Sequence, residues 1–397
     1  MVIALTDWRG APTEMQCSAC KPDAAWREGR VVWTDMFGRS STATAFVSSE
    51  WVAAWLGVYA AALHPTQLVV TESTGAIAGT CLLTASSRGV AGILWRRLHL
   101  NTDGEPEPDS VIVEHNMILA GAALERSATR AVAQWVKAAK VDEFVAAGVG
   151  SDELARLTEA FGGWTVDVEW RVAPFVNLEA LRSGARDHLS AVGASTRARL
   201  RKSRREYESR GALTVGIAET SAEALELFRE MVRLHEQRWS NAGHAGAFAS
   251  RKRREFHERF IRSSVESGRA HLLRVACGGQ TVGILYNLQA NGRVSFYQSG
   301  FAYSSDERLS PGMLTHHLAI EHYRVNGYVE YDFLASGTNE LRYKRSLATD
   351  ERRLARAAMT RPGLRANALQ LLRRLRRAAH FISKRRATVR AVAQERT

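Results

Sequence analysis

Residues 293–347 constrain the fold most, because strand periodicity and helix periodicity alternate along them. Side chains of alternating character over residues 294–299 predict a strand. After a polar loop, Ser310 is suited to cap a helix and Pro311 to occupy its first position, where the missing N–H costs nothing. A second alternating run at 329–333 predicts another strand, which a short helix follows. This order predicts an α/β arrangement in which a helix begins directly behind a strand.

The start of the predicted helix is a candidate anion site. Free backbone N–H groups and the positive end of the helix dipole meet at Ser310-Pro311-Gly312. Glycine would let a pyrophosphate approach the backbone closely. The same three residues also fit an ordinary helix start, so the pattern leaves both interpretations open.

A gapless internal similarity indicates a duplicated unit. Residues 67–83 align with residues 271–287 at a shift of 204, and Gly75 falls on Gly279 within two predicted hairpins. A helical stretch precedes each hairpin. Two hairpins can also resemble each other by chance, but the spacing fits two domains of similar size.

Four segments follow from this pattern. We expect an irregular N-terminal segment at 1–40, a first domain at 41–175, a second domain at 176–360 and a basic tail at 361–397. The chain length of 397 residues fits this division, and an apolar content of 45% is enough for packed cores.

Most of the basic charge lies in the tail. Of the net charge of +13, residues 361–397 carry +10, from ten arginines and one lysine against Glu395. Apolar residues at helical spacing among these arginines predict a basic amphipathic helix. Such a helix suits contact with an anionic membrane surface or another polyanion, and a solvated tail fits the pattern equally well.

Cysteine content and hydropathy exclude several classes of protein. Four cysteines do not make a disulfide framework in a chain of this size, and the Cys17-x-x-Cys20 pair stands alone, so no metal site is expected. Neither a leader segment nor an apolar run of membrane-spanning length is visible. We therefore expect a cytoplasmic protein, with any contact to the inner membrane made peripherally by the tail.

A second basic segment lies near the middle of the chain. In residues 195–210, Arg197, Arg201, Arg204 and Arg205 would crowd one side of a helix. This face is either solvated or reads phosphate, from the 3′-phosphate of a coenzyme or from an RNA backbone.

Several motifs, taken in order, resemble a known family. They are "STRARLRKSRREYESRG" from residue 195, "LHEQRW" from 234, "SPGMLTHHLAIEHY" from 310, "YDF" from 331 and "YKRSL" from 343. Together they resemble a GNAT-type acyltransferase domain. More narrowly, the chain is similar to the CelD/BcsL-type acetyltransferase family, which is associated with cellulose and exopolysaccharide synthesis. That family resembles the FemAB aminoacyl transferases, which carry two GNAT-like domains in tandem.

The resemblance implies a fold and a reaction. It implies an α/β (α+β) chain of two tandem GNAT-like domains, each a mixed, mostly antiparallel sheet flanked by helices. It implies transfer from acetyl-CoA or another acyl-CoA to an amine or hydroxyl of a small-molecule or saccharide acceptor, such as a cell-envelope precursor. Two alternatives are a tRNA-dependent aminoacyl transferase and a non-catalytic, membrane-associated scaffold of an exopolysaccharide system. The sequence departs from the family in its short phosphate loop at 310–312 and in residues 332–337, where relatives have a tighter Asp-x-Gly.

The resemblance and the residue types together suggest a set of site residues. As general base we consider Asp332 and His235, as acid for the leaving thiolate Tyr343, and Lys344 as a contact to phosphate or to the acyl oxygen. A structural salt bridge, a packed histidine and an ordinary surface lysine are the competing interpretations.

Further residues are expected to bind coenzyme or acceptor. The coenzyme set is Ser310, Gly312, Met313 and Arg238, and the acceptor set is Tyr297 and His115. The segment 114–116 is expected to reach a cleft between the domains, whereas His316 and His317 are expected to be bystanders.

Overall fold

The computed structural model describes residues 2–6, 12–22, 26–90, 93–241, 246–335 and 338–367. The strands are β1 (Val2–Thr6), β2 (Pro12–Cys20), β3 (Thr66–Glu72), β4 (Ile77–Val90), β5 (Ile93–Leu100), β6 (Leu119–Ala120), β7 (Glu143–Val149), β8 (Thr165–Asn177), β9 (Leu213–Ile217), β10 (Ala270–Cys277), β11 (Gln280–Ala290), β12 (Arg293–Phe301), β13 (Glu330–Asp332) and β14 (Asp350–Thr360). The helices are α1 (Arg27–Gly38), α2 (Ser49–Leu63), α3 (Glu125–Ala138), α4 (Ser151–Ala160), α5 (Leu178–Ser183), α6 (His188–Ala191), α7 (Ala194–Glu208), α8 (Ser221–Asn241), α9 (Arg251–Ser264), α10 (Pro311–Val325) and α11 (Thr338–Leu347), with a 3₁₀ turn at Ala45–Val47.

All the described strands join one mixed sheet. Its order is β1-β2-β3-β4-β5-β7-β14-β8-β13-β12-β11-β10-β9, and β6 pairs with β4. The pairs β5–β7 and β12–β13 are parallel, and the other strand pairs are antiparallel. A mixed, mostly antiparallel sheet flanked by helices is the expected fold class, and the structure confirms it.

The two halves of the sheet repeat one order of elements. Three antiparallel strands, a helix, a strand parallel to the third, a helix and a last strand occur as β3-β4-β5-α3-β7-α4-β8 and again as β10-β11-β12-α10-β13-α11-β14. The hairpins that align in sequence are β3–β4 and β10–β11, and Gly75 (φ 85°) and Gly279 (φ 83°) occupy the same left-handed position in their turns. That conformation favours glycine, which explains why the sequence similarity survives at these turns.

The last strand of each half pairs within the other half. β14 lies between β7 and β8, while the end of β8 pairs with β13. The expected boundary between residues 175 and 176 therefore falls inside β8. Because β8 pairs with both β14 and β13, the chain cannot be divided there into two separate sheets. The expectation of an irregular segment at residues 1–40 also differs from the structure, because β2 pairs with β3 and α1 follows it.

An aromatic core joins the halves. The ring centroid of Trp51 in α2 lies 4.7 Å from that of Phe256 and 5.2 Å from that of Phe260, both in α9. It lies 5.8 Å from the ring centroid of Tyr297 in β12. Aromatic side chains bury 150–250 Å² each, roughly, and dominate core energetics. Ser48 caps α2 by accepting the N–H of Trp51, so this helix is anchored at its first turn.

Two expectations concern residues at the margins of what the structure describes. The basic tail is described only to residue 367, and its predicted amphipathic helix lies for the most part outside the described residues, as do positions 336 and 337. Among the helices that the structure describes, none has both the length and the apolar character needed to cross a membrane.

Candidate functional site

A cavity of about 780 Å³ opens where two parallel strands separate. β12 and β13 pair only through residues 293–295 and 330–332, so the edge of β12 from Phe296 onward faces the cavity. Parallel strands that diverge leave backbone and side chains open to a ligand between them. Eight of the expected site residues line this space: Tyr297, His235, Arg238, Ser310, Gly312, Met313, Tyr343 and Lys344.

The first turn of α10 opens on the cavity with unused N–H groups. Pro311 is its first residue, and the N–H groups of Gly312 and Met313 have no acceptor within the helix. Ser310 does not cap them, contrary to expectation. Its side chain instead accepts a hydrogen bond from Arg199 Nε at 2.8 Å, and its own N–H donates to Ser203 Oγ at 2.9 Å. The helix start is thus held in place while its amide groups are left for a ligand.

Two guanidinium groups stand beside this helix start. Arg199 and Arg238 both line the cavity and are exposed. Arg238 donates to the Tyr303 hydroxyl and lies 4.8 Å from the centre of that ring. Positive charge next to free N–H groups at a helix N-terminus favours phosphate.

The basic helix α7 contributes a different arginine from those expected. Arg199 reaches the site, whereas Arg197 turns back to the carbonyls of Leu189 and Val192, and Arg204 pairs with Glu208. Arg199 and Ser203 are four residues apart and therefore share one face of α7, and both hydrogen-bond Ser310. This spacing is the feature of the sequence that could have indicated which face of the helix meets the site.

Tyr343 offers an unpaired hydroxyl to the cavity. No described residue hydrogen-bonds this buried group. It lies 3.2 Å from the point that a Cβ on Gly312 would occupy, so it faces the first turn of α10. Burial raises the pKa of Tyr343 well above its ordinary value, which keeps the proton on the oxygen.

Lys344 is anchored beside it. Its Nζ donates to the carbonyl of Phe333 at 2.6 Å and lies 5.3 Å from the centre of the Phe296 ring. The buried ammonium thereby holds the turn after β13. It also places a positive charge at the inner end of the cavity, which we define as the end beside Phe296 and Phe333. This geometry agrees with a positioning role as well as with the expected contact to a ligand.

Glu114 belongs to the segment that was expected to reach a cleft between the domains, but no chemical role was assigned to it from the sequence. It lines the cavity, is 6% exposed, and accepts the N–H of Ala335 at 2.8 Å and 3.1 Å through its two oxygens. Burial raises the pKa of Glu114 to about 7, and the charge of Asp332 adds to this, against the opposing effects of the Ala335 N–H, His115 and Lys344. A carboxyl group that titrates near neutrality is suited to general base catalysis.

Glu114 belongs to the first half of the molecule, although the cavity lies in the second half. It lies in the loop between β5 and β6, and this loop fills the gap in the first half that corresponds to the cavity of the second. Asn116 bridges to Val149 of β7, and a Cβ on Gly148 would lie only 2.2 Å from the Val113 carbonyl oxygen. The loop is therefore packed tightly against the first half, which directs Glu114 into the second.

Asp332 and His115 lie behind the cavity wall and bind each other. His115 Nε2 donates to Asp332 Oδ2 at 2.8 Å, and the N–H of Leu334 donates to Oδ1 at 2.7 Å. Burial alone would raise the pKa of Asp332, but the hydrogen bond and charge of His115, with Arg352 and the Leu334 N–H, lower it overall. Asp332 is thus an ionised, paired carboxylate that does not line the cavity.

His235 is held by backbone groups on both sides of its ring. Its Nδ1 donates to the carbonyl of Ser299 at 3.2 Å, so Nε2 is the acceptor for the N–H of Ala247, also at 3.2 Å. A ring engaged in this way ties α8 to the edge of β12. Acting as a base would require it to release the Ala247 N–H first.

The two neighbouring histidines of α10 separate in the structure. His317 lies beside His188, with their Nδ1 atoms 2.9 Å apart, and is no part of the cavity. His316 does line the cavity. It was expected to be a bystander because one histidine among several on a helix carries no signal in the sequence alone.

A family model matches most of the second half of the chain. Residues 194–345 match the model of the family described as "Acetyltransferase (GNAT) domain". This part of the chain is therefore similar to GNAT acetyltransferase domains. It contains every element of the second half that lines the cavity, from α7 to α11. No curated protein sequence matches the chain.

Solved structures share the fold of nearly the whole chain. FemX is 10% identical with a TM-score of 0.54, over 85% of this chain and 96% of its own. L-PGS from Bacillus licheniformis is 12% identical with a TM-score of 0.52, over 89% and 97%. The C-terminal domain of a protein provisionally described as a lysylphosphatidylglycerol synthetase, from Agrobacterium fabrum, is 12% identical with a TM-score of 0.53, over 88% and 95%. At such identities the likeness extends to the fold alone, and the narrower resemblance to the CelD/BcsL-type family stays a prediction.

Proposed function

We propose that the protein transfers an acyl group from a coenzyme A thioester to an amine or hydroxyl acceptor. The observation that carries this proposal is the start of α10, where the N–H groups of Gly312 and Met313, flanked by Arg199 and Arg238, open on the cavity. These groups suit the pyrophosphate of the coenzyme. Ser310 holds the helix start in place through Arg199.

The free edge of β12 leads from that anion site to the inner end of the cavity. From Phe301 back to Phe296 is five residues, about 16 Å at 3.3 Å per residue. An extended thioester arm laid along this edge would bring its reactive carbon to the point where β12 and β13 separate. Lys344, which lies 5.3 Å from the centre of the Phe296 ring, and Glu114, which accepts the Ala335 N–H just after β13, lie near that point, and Tyr343 lines the same cavity.

The residues around this point supply the proton transfers. Glu114 takes the proton of the acceptor, whose nitrogen or oxygen attacks the thioester carbon. The carbon–sulfur bond then breaks, and Tyr343 gives its proton to the departing thiolate. General base catalysis contributes about 10²–10⁴ in rate, and orientation of the two substrates contributes up to about 7–11 kcal/mol. The direct transfer needs no covalent enzyme intermediate.

The acceptor is proposed from the family resemblance and from the residues that line the cavity. The resemblance to the CelD/BcsL-type family favours a sugar-derived or cell-envelope precursor. Glu114 sits in a loop of the first half, so that half would help to form the acceptor side of the cavity. Tyr297 also lines it, and His115 would act through Glu114 and Asp332 rather than by direct contact.

Calorimetric titration of the full chain with acetyl-CoA tests the proposal. We expect saturable binding in the micromolar range, and release of free thiol when a suitable acceptor from a panel of amines, amino sugars and sugar alcohols is added. Absence of binding at millimolar acetyl-CoA, with far-UV circular dichroism showing a folded protein, would remove the coenzyme from the proposal.

A second candidate is tRNA-dependent aminoacyl transfer. It is favoured by the outer face of α7, where Arg201, Lys202 and Arg205 are exposed and pair with no acidic residue of the described chain, next to Arg199 at the cavity mouth. Such a face suits a polyanion longer than a coenzyme.

Binding of tRNA at increasing salt would discriminate the two donors. If tRNA is the donor, the affinity should fall steeply with salt, and the triple variant Arg201→Ala, Lys202→Ala, Arg205→Ala should flatten that dependence. A salt-insensitive, weak interaction that the triple variant leaves unchanged would exclude this candidate.

Contact of residues 361–397 with an anionic membrane is a further part of the proposal. Its support is the net charge of +10 in that segment. Co-sedimentation with vesicles rich in anionic lipid should be lost when residues 368–397 are deleted. Under the scaffold alternative, the variants Glu114→Gln and Tyr343→Phe would leave every cellular phenotype unchanged.

A further inference from the structure

His316 presents an unused ring nitrogen at the cavity. It lies four residues after Gly312 in α10, so both occupy the same helix face. The ring is fully buried and lines the cavity, and no described residue hydrogen-bonds its Nε2. Buried polar groups in native proteins are almost always satisfied, so an exception beside a cavity points to a ligand.

The hydrogen bond on the other side of the ring places the proton. His316 Nδ1 lies 2.9 Å from the hydroxyl of Tyr331, which is itself buried. If Nδ1 carried the proton, both the Tyr331 hydrogen and the Nε2 lone pair would be left without partners. If Tyr331 donates to Nδ1, only the N–H on Nε2 is left over. The second arrangement leaves one polar group without a partner instead of two, so we assign the proton to Nε2, which is then a hydrogen-bond donor.

The ring also remains neutral, so it keeps this single N–H. Burial, with the nearby charge of Lys344, holds the pKa of His316 well below its ordinary value. Three phenylalanine rings pack around it, with centroids 4.5 Å (Phe296), 5.2 Å (Phe333) and 5.9 Å (Phe301) from its own. A donor in such apolar surroundings interacts strongly with developing negative charge.

The position of His316 matches the reacting end of the cavity. Because α10 connects two parallel strands, it runs back along β12 toward the point where the strands separate. Phe296, the closest ring to His316, is the first residue of β12 beyond the pairing with β13. The centroid of the Tyr343 ring lies 5.8 Å from that of His316.

We propose that His316 donates a hydrogen bond from Nε2 to the carbonyl oxygen of the donor thioester and stabilises the oxyanion that forms there. This inference rests on the proposed acyl-CoA function and deepens it. Attack of the acceptor moves negative charge onto that oxygen, which the neutral N–H can receive without any proton transfer. In this arrangement Tyr343 protonates the departing sulfur, whereas His316 donates a hydrogen bond to the carbonyl oxygen.

Two matched ligands test the proposal without knowledge of the acceptor. Acetyl-CoA and S-ethyl-CoA have nearly the same size, but the thioether lacks the carbonyl oxygen. We expect the wild-type protein to bind acetyl-CoA about tenfold more tightly, the ratio that one good hydrogen bond supplies. His316→Leu should remove the preference and leave the affinity for S-ethyl-CoA unchanged, whereas His316→Gln, which keeps a donor, should restore part of it.

A spectroscopic measurement guards against a variant that merely unfolds. The infrared carbonyl band of ¹³C-labelled acetyl-CoA should move to lower frequency on binding to wild type, below its position in water. His322→Gln, on the same helix and outside the cavity, should behave as wild type in both experiments. Equal affinity of wild type for the two ligands, or a band unshifted from water, would overturn the role of His316 while the coenzyme site stands. Failure of both ligands to bind would overturn the proposed function and this inference with it.

Discussion

His115 and Asp332 lie 217 positions apart in the chain and are joined by a hydrogen bond of 2.8 Å from Nε2 to Oδ2. His115 belongs to the loop that the first half sends into the site, and it has a left-handed backbone (φ 51°) that non-glycine residues rarely adopt. The pair fixes that loop against β13. Glu114, the neighbouring residue, is thereby held at the cavity with its oxygens on the Ala335 N–H. Strain of this kind persists where surrounding contacts over-determine a conformation.

The first prediction concerns Glu114 itself. Glu114→Gln should lower kcat for acyl transfer by about 10²–10⁴, the usual contribution of a general base. Binding of acetyl-CoA should change little, because the coenzyme is held at α10. In wild type, kcat/KM should rise with pH through a midpoint near the Glu114 pKa of about 7, since the carboxylate must be deprotonated to accept a proton. If Glu114→Gln retained the full kcat and the same rise of kcat/KM with pH, another residue would have to be the base.

The second prediction follows from the charge of Asp332. That charge raises the pKa of Glu114, so Asp332→Asn should lower it and move the rising limb of kcat/KM to lower pH. Glu266→Gln, at an exposed carboxylate away from the cavity, should leave the limb in place. The measurement is the pH profile from pH 5 to 9. A shift toward higher pH in Asp332→Asn would contradict the electrostatic coupling.

The third prediction concerns the start of α10. A Cβ at Gly312 would lie 3.1 Å from the Phe301 ring and 3.2 Å from the Tyr343 hydroxyl. Gly312→Val should therefore fill the approach to the free N–H groups and weaken acetyl-CoA binding by about tenfold or more. Gly216→Ala, where a Cβ would meet nothing within 4 Å, is the matched control for isothermal titration. Undiminished binding in Gly312→Val would place the phosphates elsewhere.

The fourth prediction concerns the two arginines at the cavity mouth. Arg199→Ala and Arg238→Ala should each weaken acetyl-CoA binding about fivefold, on the order of 1 kcal/mol for exposed charge pairs. The loss should shrink at high salt, because screening weakens the interaction that is removed. Arg204→Ala, on the same helix but paired with Glu208, should bind as wild type does. Titrations at two salt concentrations distinguish these outcomes.

The fifth prediction concerns stability. Glu105 is buried, its Oε1 accepts a hydrogen bond from Trp55, and its Oε2 has no partner in the described chain. Burial raises the pKa of Glu105 to about 8. The folded state therefore binds a proton that the unfolded state releases above the ordinary value of 4.5, so the free energy of unfolding falls as pH rises through this window.

Glu105→Gln removes that titration. The free energy of unfolding of the variant relative to wild type should increase from pH 5 to pH 8, by at most about 1.4 kcal/mol per pH unit. Urea denaturation at both pH values measures it. A difference that stays constant with pH would show that Glu105 does not titrate on unfolding.

Local patterns in the sequence determined much of this protein. Alternation over residues 294–299, the Pro311 helix start and the glycine turns of the repeated hairpins depend on neighbours a few positions apart, so they predicted β12, α10 and the duplication. The motif order around 310–344 pointed to the residues of the cavity wall, most of which the structure brings together.

Only the tertiary structure decided which of these groups is available for chemistry. Asp332 and His235 carry the right functional groups, but His115, which is 217 positions from Asp332, and Ser299, which is 64 positions from His235, occupy them. Glu114, expected only to reach a cleft, and His316, expected to be a bystander, are given chemical roles because long-range packing buries them beside a cavity and shifts their pKa values. Burial, hydrogen-bond satisfaction and the exchange of β8 and β14 depend on contacts between segments hundreds of residues apart, and no local pattern encodes them.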